Sequence, residues 1–358
     1  MSTEEKKYIG RYWKKNKDDT IQCYLCPRHC RLRDGQRGFC FVRKNVNQEL
    51  VLTTYGRSSG FCIDPIEKKP LNHFYPGTSV LSFGTAGCNL GCQFCQNWDI
   101  SKSKEFDRLT ERASPQAIAD AARARQVQSV AFTYNDPVIF TEYAIDTAIA
   151  CHAQGIKTVA VTAGYIEGEA RKDFFEHMDA ANIDLKSFSD DFYKRLTLSS
   201  LKPVLNTLEY VREKTATWLE LTTLIIPQEN DSEQEIKDLT RWIVEHLGPQ
   251  TPLHFTAFHP TYKLRDKAST NAQTLQTARN IGRQNGLHYV YTGNIIDPEG
   301  STTFCHQCQN TLIERRGYDI VAYHLDKNHQ CPKCQTVCAG AFDSSPGSWG
   351  NKRQSVRF

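Results

Sequence analysis

The chain has no apolar run approaching the ~20 residues of a membrane-spanning helix. Its first residues, Met1-Ser-Thr-Glu-Glu-Lys-Lys7, lack the apolar stretch of a secretory signal. Charge of one sign is also scarce, since 44 Lys and Arg face 40 Asp and Glu for a net +4, well mixed along the chain. These absences argue against a membrane protein and give no basis for a nucleic-acid partner. A cytoplasmic setting is expected, where thiols stay reduced. Cysteine, by contrast, is abundant: the 14 cysteines of this 358-residue chain are therefore expected to be ligands rather than disulfides. Apolar residues make up 39% of the chain, enough for a packed core.

Most of the cysteines fall into three clusters. Cys88, Cys92 and Cys95 follow a C-x3-C-x2-C spacing inside Gly84-Thr-Ala-Gly-Cys-Asn-Leu-Gly-Cys-Gln-Phe-Cys-Gln-Asn-Trp98. Three thiolates from one short loop are one fewer than a closed zinc site needs. They are also one fewer than a fully protein-ligated iron–sulfur cubane uses, so one iron is left open. Cys23, Cys26, Cys30 and Cys40 form an N-terminal four-thiolate set whose metal, zinc or an auxiliary cluster, is not readable from spacing. His29 is an alternative ligand there, although a place beside the site suits it better. Cys305-x2-Cys308 and Cys331-x2-Cys334, with 22 residues between the pairs, match a two-knuckle zinc pattern, with a rubredoxin-like iron site or an auxiliary cluster as the alternative. Of the remainder, Cys151 lies in an apolar helical stretch, Cys338 is close enough in sequence to exchange with Cys334, and Cys62 has no partner.

Between the clusters, short apolar strands alternate with helix-length segments. Strands are expected at Val80–Phe83, Ser129–Tyr134, Lys157–Thr162, Ile183–Lys186, Trp218–Leu224, Leu253–Ala257 and His288–Tyr291. Ser114-Pro115 opens a helix as N-cap and first-turn proline, and Gly155 ends a helix over Ile139 to Gln154. This alternation predicts an α/β fold of right-handed βαβ units on a parallel sheet, with chemistry at the C-terminal strand ends. The polar tail 344–358 is expected to be mobile. Asp64 to Phe74 reads as an ordered connector with a solvated charged face, the alternative being that Lys68, Lys69 and His73 reach over a bound cofactor or an anionic substrate.

The Cys88–Cys95 motif, with Phe94 as its aromatic, resembles the signature of radical S-adenosylmethionine (SAM) enzymes. The resemblance implies a [4Fe-4S] cluster on Cys88, Cys92 and Cys95 whose open iron is chelated by SAM. An electron from that cluster then releases a 5′-deoxyadenosyl radical for hydrogen abstraction. It also implies a partial, open (βα)6 barrel over residues 77–297, preceded by a Cys-rich metal-binding region over 1–76. A zinc-ribbon-like module and polar tail over 298–358 follow. By the same resemblance Asn135 and Asp136, after the second strand, stand where related enzymes receive the SAM amino group, with aspartate replacing glutamate. Asp184 and Lys186 match an Asp-Leu-Lys motif of glycyl-radical-enzyme activases, and His259 a Tyr-His segment near SAM.

The whole chain is similar to the radical SAM protein of the AmmeMemoRadiSam system. That likeness lies in the N-terminal quartet, Asp64 to Phe74, Tyr291-Thr-Gly-Asn294 and Glu314-Arg-Arg-Gly-Tyr318. It implies AMMECR-type and Memo-type partner proteins and a low-potential electron donor such as ferredoxin or flavodoxin, but names no substrate. Two other readings stay open at this point. One is a glycyl-radical-enzyme activase; the other is a zinc-dependent binding protein without radical chemistry.

Overall fold

The computed structural model describes residues 7–102, 109 and 111–358, so the first six residues read for a leader lie outside it. Its centre is one nine-stranded sheet. In chain order the strands are β1 (Phe61–Pro65), β2 (Ser79–Phe83), β3 (Ser129–Phe132), β4 (Lys157–Thr162), β5 (Ala180–Asp184), β6 (Trp218–Ile225), β7 (Leu253–Ala257), β8 (Val290–Gly293) and β9 (Gln354–Val356). Their spatial order is β8-β7-β6-β5-β4-β3-β2-β1-β9. The run β2 to β8 is parallel throughout, and β1 and β9 add antiparallel strands at one edge. No pairing joins β8 to β9 among the described residues, so the sheet is open.

The longest described helix of each parallel crossover is, in order, α1 (Pro115–Ala124), α2 (Thr141–His152), α3 (Gly168–Phe175), α4 (Leu201–Lys214), α5 (Glu233–His246) and α6 (Ala272–Gln284). The start signals act as expected from sequence. The Ser114 side chain accepts from Ala117 N with Pro115 behind it, and Gly155 takes φ +73 just past α2. Because helices cover the sheet, the parallel strands read as nearly continuous buried runs, all four residues of β3 among them.

Three expectations are corrected. The fifth strand is Ala180–Asp184 rather than Ile183–Lys186, leaving Lys186 in the loop beyond its end. Polar Asn182 hid the strand start; it is fully buried, donating to Pro70 O at 2.8 Å and accepting from Thr222 Oγ1 at 2.9 Å. The tail is anchored, not loose: β9 pairs with Phe61–Ile63, Val356 is buried, and the Phe358 ring lies 4.4 Å from that of Phe61. The Asp64–Phe74 connector turns its charges inward. Asp64, Glu67, Lys69 and His73 are all buried, and Lys69 Nζ reaches Asp64 Oδ2 at 2.8 Å.

Residues of the N-terminal segment, including Ile21, Leu25, Val42 and Leu50, belong to the same hydrophobic core as the sheet. Arg43 anchors them, with its Nη1 3.0 Å from Glu142 Oε1 on α2 and both side chains at most 1% exposed. Arg43→Ala would strand the Glu142 carboxylate in the core. We expect a loss of about 3–5 kcal/mol in chemical denaturation, and a change under about 1 kcal/mol would refute this role.

Candidate functional site: a cysteine loop above a deep cavity

The chain leaves β2 at Phe83 and turns at once into the cysteine loop. A β-carbon at Gly84 would overlap the Thr133 carbonyl, and one at Gly87 (φ +85) the Cys40 carbonyl, so only glycine lets the loop descend here. Asn135, just past β3, ties the descent together. Its Oδ1 accepts from Thr85 N at 2.9 Å and its Nδ2 donates to Gly87 O at 2.8 Å. Its amide is thus engaged by loop backbone, which makes Asn135 a positioning residue. The far limb is held by Gly91 N to Thr197 O at 2.7 Å and Gln93 N to Leu196 O at 2.9 Å. Phe94 is buried against the Phe192 ring, 5.8 Å away. Asn135→Ala should loosen this loop, leaving two buried backbone groups unpaired at about 1–3 kcal/mol each. Faster hydrogen exchange at Thr85–Gly87 is the expected sign, and unchanged exchange would count against it.

The three cysteines open onto a cavity of about 760 Å³, in the upper range of small-molecule sites. Phe94, Asn135, Asp136, Asp184 and Lys186 line it with them, whereas His259 does not. His259 is exposed, with its ring nitrogens 3.3 Å from Ser269 Oγ and 3.4 Å from Asn294 O. Asp136 is buried. Its Oδ1 accepts from Thr162 Oγ1 at 2.8 Å and Val138 N at 3.1 Å, and its Oδ2 from Ala163 N at 3.0 Å. Burial raises its pKa against the pull of those hydrogen bonds. Lys186 Nζ lies 2.6 Å from Asp184 Oδ2. Burial pulls the Lys186 pKa down, but Asp184 and Cys92 outweigh it and the net shift is upward, so the ammonium persists.

Burial pushes the Cys88 thiol up to about 12 and Cys92 up to about 11. Loading a metal here must therefore expel protons. The donor set fits a cubane better than a single ion. Among the described residues, only Cys305, Cys308, Cys331 and Cys334 bring three or more candidate ligand atoms within 4.8 Å of one another.

Those C-terminal sulfurs have the spacing of one tetrahedral ion. Cys305 and Cys334 lie 3.5 Å apart, Cys308 and Cys331 3.6 Å apart. A zinc–sulfur bond near 2.3 Å gives ~3.8 Å across a tetrahedron edge. A hydrogen bond from Thr336 comes first among the influences that draw Cys334 down to about 6, readying a thiolate. Cys338 stands apart, its Sγ 3.8 Å from His73 Nδ1. Of the N-terminal cysteines, Cys40 and Cys30 flank Gly38, where a β-carbon would lie 3.6 Å from Cys40 Sγ and 3.7 Å from Cys30 Sγ, and among the described residues the four lack the compactness of the C-terminal set. His29 pairs with Glu167 instead. Between Cys26 and Cys30, Arg28 donates to the Asn89 carbonyl of the Cys88–Cys95 loop, so the two cysteine regions adjoin.

Sequence reading missed the opposite wall: Glu67, His254, Arg315 and Arg316 also line the cavity. An adjacent arginine pair inside a strand was the available signal, and it stood in the Glu314–Tyr318 segment already singled out.

Comparison with known proteins bears on this site directly. The sequence pattern of the radical SAM superfamily matches residues 83–242. The uncharacterized protein MJ0808 of Methanocaldococcus jannaschii is 39% identical over 324 residues, covering 90% of this chain and 96% of its own. A pyruvate formate-lyase-activating enzyme of Clostridium pasteurianum is 26% identical over 208 residues, 53% of this chain and 84% of its own. A radical SAM methyltransferase structure from Sphaerobacter thermophilus superposes with a TM-score of 0.48 at 15% identity, over 62% of this chain and 67% of its own. A cysteine loop at the end of the first parallel strand, within the matched span and facing a deep cavity, is accounted for in one way: this chain belongs to the radical SAM superfamily.

Proposed function

We infer that this protein holds a [4Fe-4S] cluster through Cys88, Cys92 and Cys95 and cleaves SAM reductively to abstract hydrogen from a substrate not yet identified. The observation that carries this reading is the opening of those three thiols, and no fourth cysteine, onto a cavity shared with Asp136, Asp184 and Lys186. When bound, the cluster supplies one low-potential electron and an open iron. The chain's own residues do the rest. Asp136 would receive the SAM ammonium, and the Lys186 ammonium, fixed by Asp184, would pair with the SAM carboxylate. Phe94 screens the loop from water. The parallel sheet acts as a partial barrel over 77–297, with the Cys-rich 1–76 region and a zinc-ribbon-like 298–358 module on either side.

A cytoplasmic radical SAM protein of the AmmeMemoRadiSam type, with AMMECR-type and Memo-type partners and a ferredoxin or flavodoxin donor, is the fuller form of this reading. Glycyl-radical-enzyme activation is the second reading, favoured by the kinship with pyruvate formate-lyase-activating enzymes over 53% of the chain. Anaerobic reconstitution with iron and sulfide, followed by dithionite and SAM, tests the core claim. 5′-Deoxyadenosine is expected. Its absence, with zinc as the only bound metal, would replace this reading with a metal-stapled binding protein.

A further inference from the structure

The cavity has two ends of different character. The cysteine loop follows the C-terminal end of β2, whereas Glu67 precedes its N-terminal end, and a five-residue strand separates the two by ~16 Å. Arg315 lines the cavity on the Glu67 side. It is only 2% exposed, and its outer nitrogens are bound to neutral acceptors: Ser301 O at 3.2 Å, Thr303 Oγ1 at 2.9 Å and Asn72 O at 2.7 Å. Its Nε has no hydrogen-bond partner among the described residues. The nearest carboxylate oxygen, Glu67 Oε1, is 3.9 Å away and already accepts from Gly77 N at 2.7 Å, while Glu67 Oε2 is unpartnered.

Neither buried acid neutralises this guanidinium by contact. Burial raises Glu67 to about 7, against the downward pull of Arg315, so its negative charge is only partly present. Glu220 spends its oxygens on Asn72 N, His73 N and His254 Nε2. Arg316, next in the chain, is exposed, lines the same cavity and has no hydrogen bond or ion pair among the described residues. A buried cation with a free N–H beside a second free cation is a costly arrangement unless an anion arrives.

We propose that Arg315 and Arg316, with Glu67 beside them, form a subsite for the oxyanion group, carboxylate or phosphate, of a small-molecule substrate. This rests on the radical SAM reading for its purpose, since it places an anionic tail at one end of the cavity and the reacting carbon toward the cysteines. Planar guanidinium groups offer the paired donors that carboxylate and phosphate oxygens accept. Glu67 limits the affinity, as its charge beside the two guanidinium groups opposes that of an incoming anion.

Isothermal titration of the anaerobic, metal-loaded full chain at pH 8 with inorganic phosphate, and separately with succinate, tests the subsite at constant ionic strength. Saturable binding of at least one probe is expected, and which one binds identifies the oxyanion. Arg316→Gln, on an exposed side chain, should weaken it about tenfold. Glu67→Gln keeps the acceptor for Gly77 N while deleting the charge, and should tighten binding about threefold. A purely structural role for Glu67 would not produce tighter binding. No saturable binding of either probe, or equal affinity in Arg316→Gln, overturns the proposal. SAM titrated into the same wild-type preparation reports on the cysteine end alone, so failure of the radical SAM reading and failure of the subsite are told apart.

Discussion

Alanine at Cys92 is expected to reduce 5′-deoxyadenosine formation to background while the protein stays folded. Cys92 sits mid-loop, and its removal leaves two thiols where a cubane needs three from the protein to stay anchored with one iron open. The loop itself does not depend on the sulfur. Gly91 N and Gln93 N remain bonded to Thr197 O and Leu196 O, and Asn135 still grips Thr85 and Gly87. Cys92 is half-buried at the cavity surface, so the fold should lose no more than about 1 kcal/mol. Chromatographic assay of deoxyadenosine, with visible absorbance for the cluster and circular dichroism for the fold, checks all three parts. Undiminished deoxyadenosine in this variant would remove the three-cysteine cluster from the mechanism.

What the sequence made legible, and what it hid, divides along a physical line. The alternation of apolar runs with capped helices predicted the order of all seven parallel strands, because strands covered on both faces must be apolar and helices must satisfy their first N–H groups. Cysteine spacing is equally local, so the loop at Cys88–Cys95 and the pairs at Cys305 and Cys331 were visible. Long-range pairing was not. Nothing in a polar tail announces that Arg353 Nε will lie 3.2 Å from Cys62 Sγ, giving a neighbour to a cysteine read as incidental. The Asp64–His73 connector misled for a related reason. Its charges are met by Lys69 and by backbone donors supplied elsewhere in the chain, and partnering of that kind has no sequence spacing. His259 shows the reverse: a motif position matched in sequence stands exposed, outside the cavity lining.

Serine at Cys331 should cost more stability than any surface change, and should do so together with one equivalent of bound zinc. Cys331 is fully buried and Cys305 1% exposed, and both belong to a small core with Leu312, Ile313 and Phe342. A core that small would need a tetrahedral metal centre to hold its strands, and the binding free energy of such a centre would be folding free energy for the module. The loss would not stay local. Ala341 N donates to His73 O at 2.8 Å and Tyr75 N to Ala341 O at 2.7 Å, while Arg315 Nη2 reaches Asn72 O at 2.7 Å. Through these bonds the C-terminal module braces the buried connector and one wall of the cavity. A fall in Tm of about 10 °C is expected, corresponding to a few kcal/mol in a chain of this size. Differential scanning calorimetry alongside metal analysis would measure it, and chelation of the wild-type protein should reproduce the shift. An unchanged Tm with zinc lost would mean that the four sulfurs converge without bearing on the fold. If the brace is real, Cys331→Ser should also quicken hydrogen exchange at His73 and Tyr75, far from the substitution in sequence but one hydrogen bond from the module it unsettles.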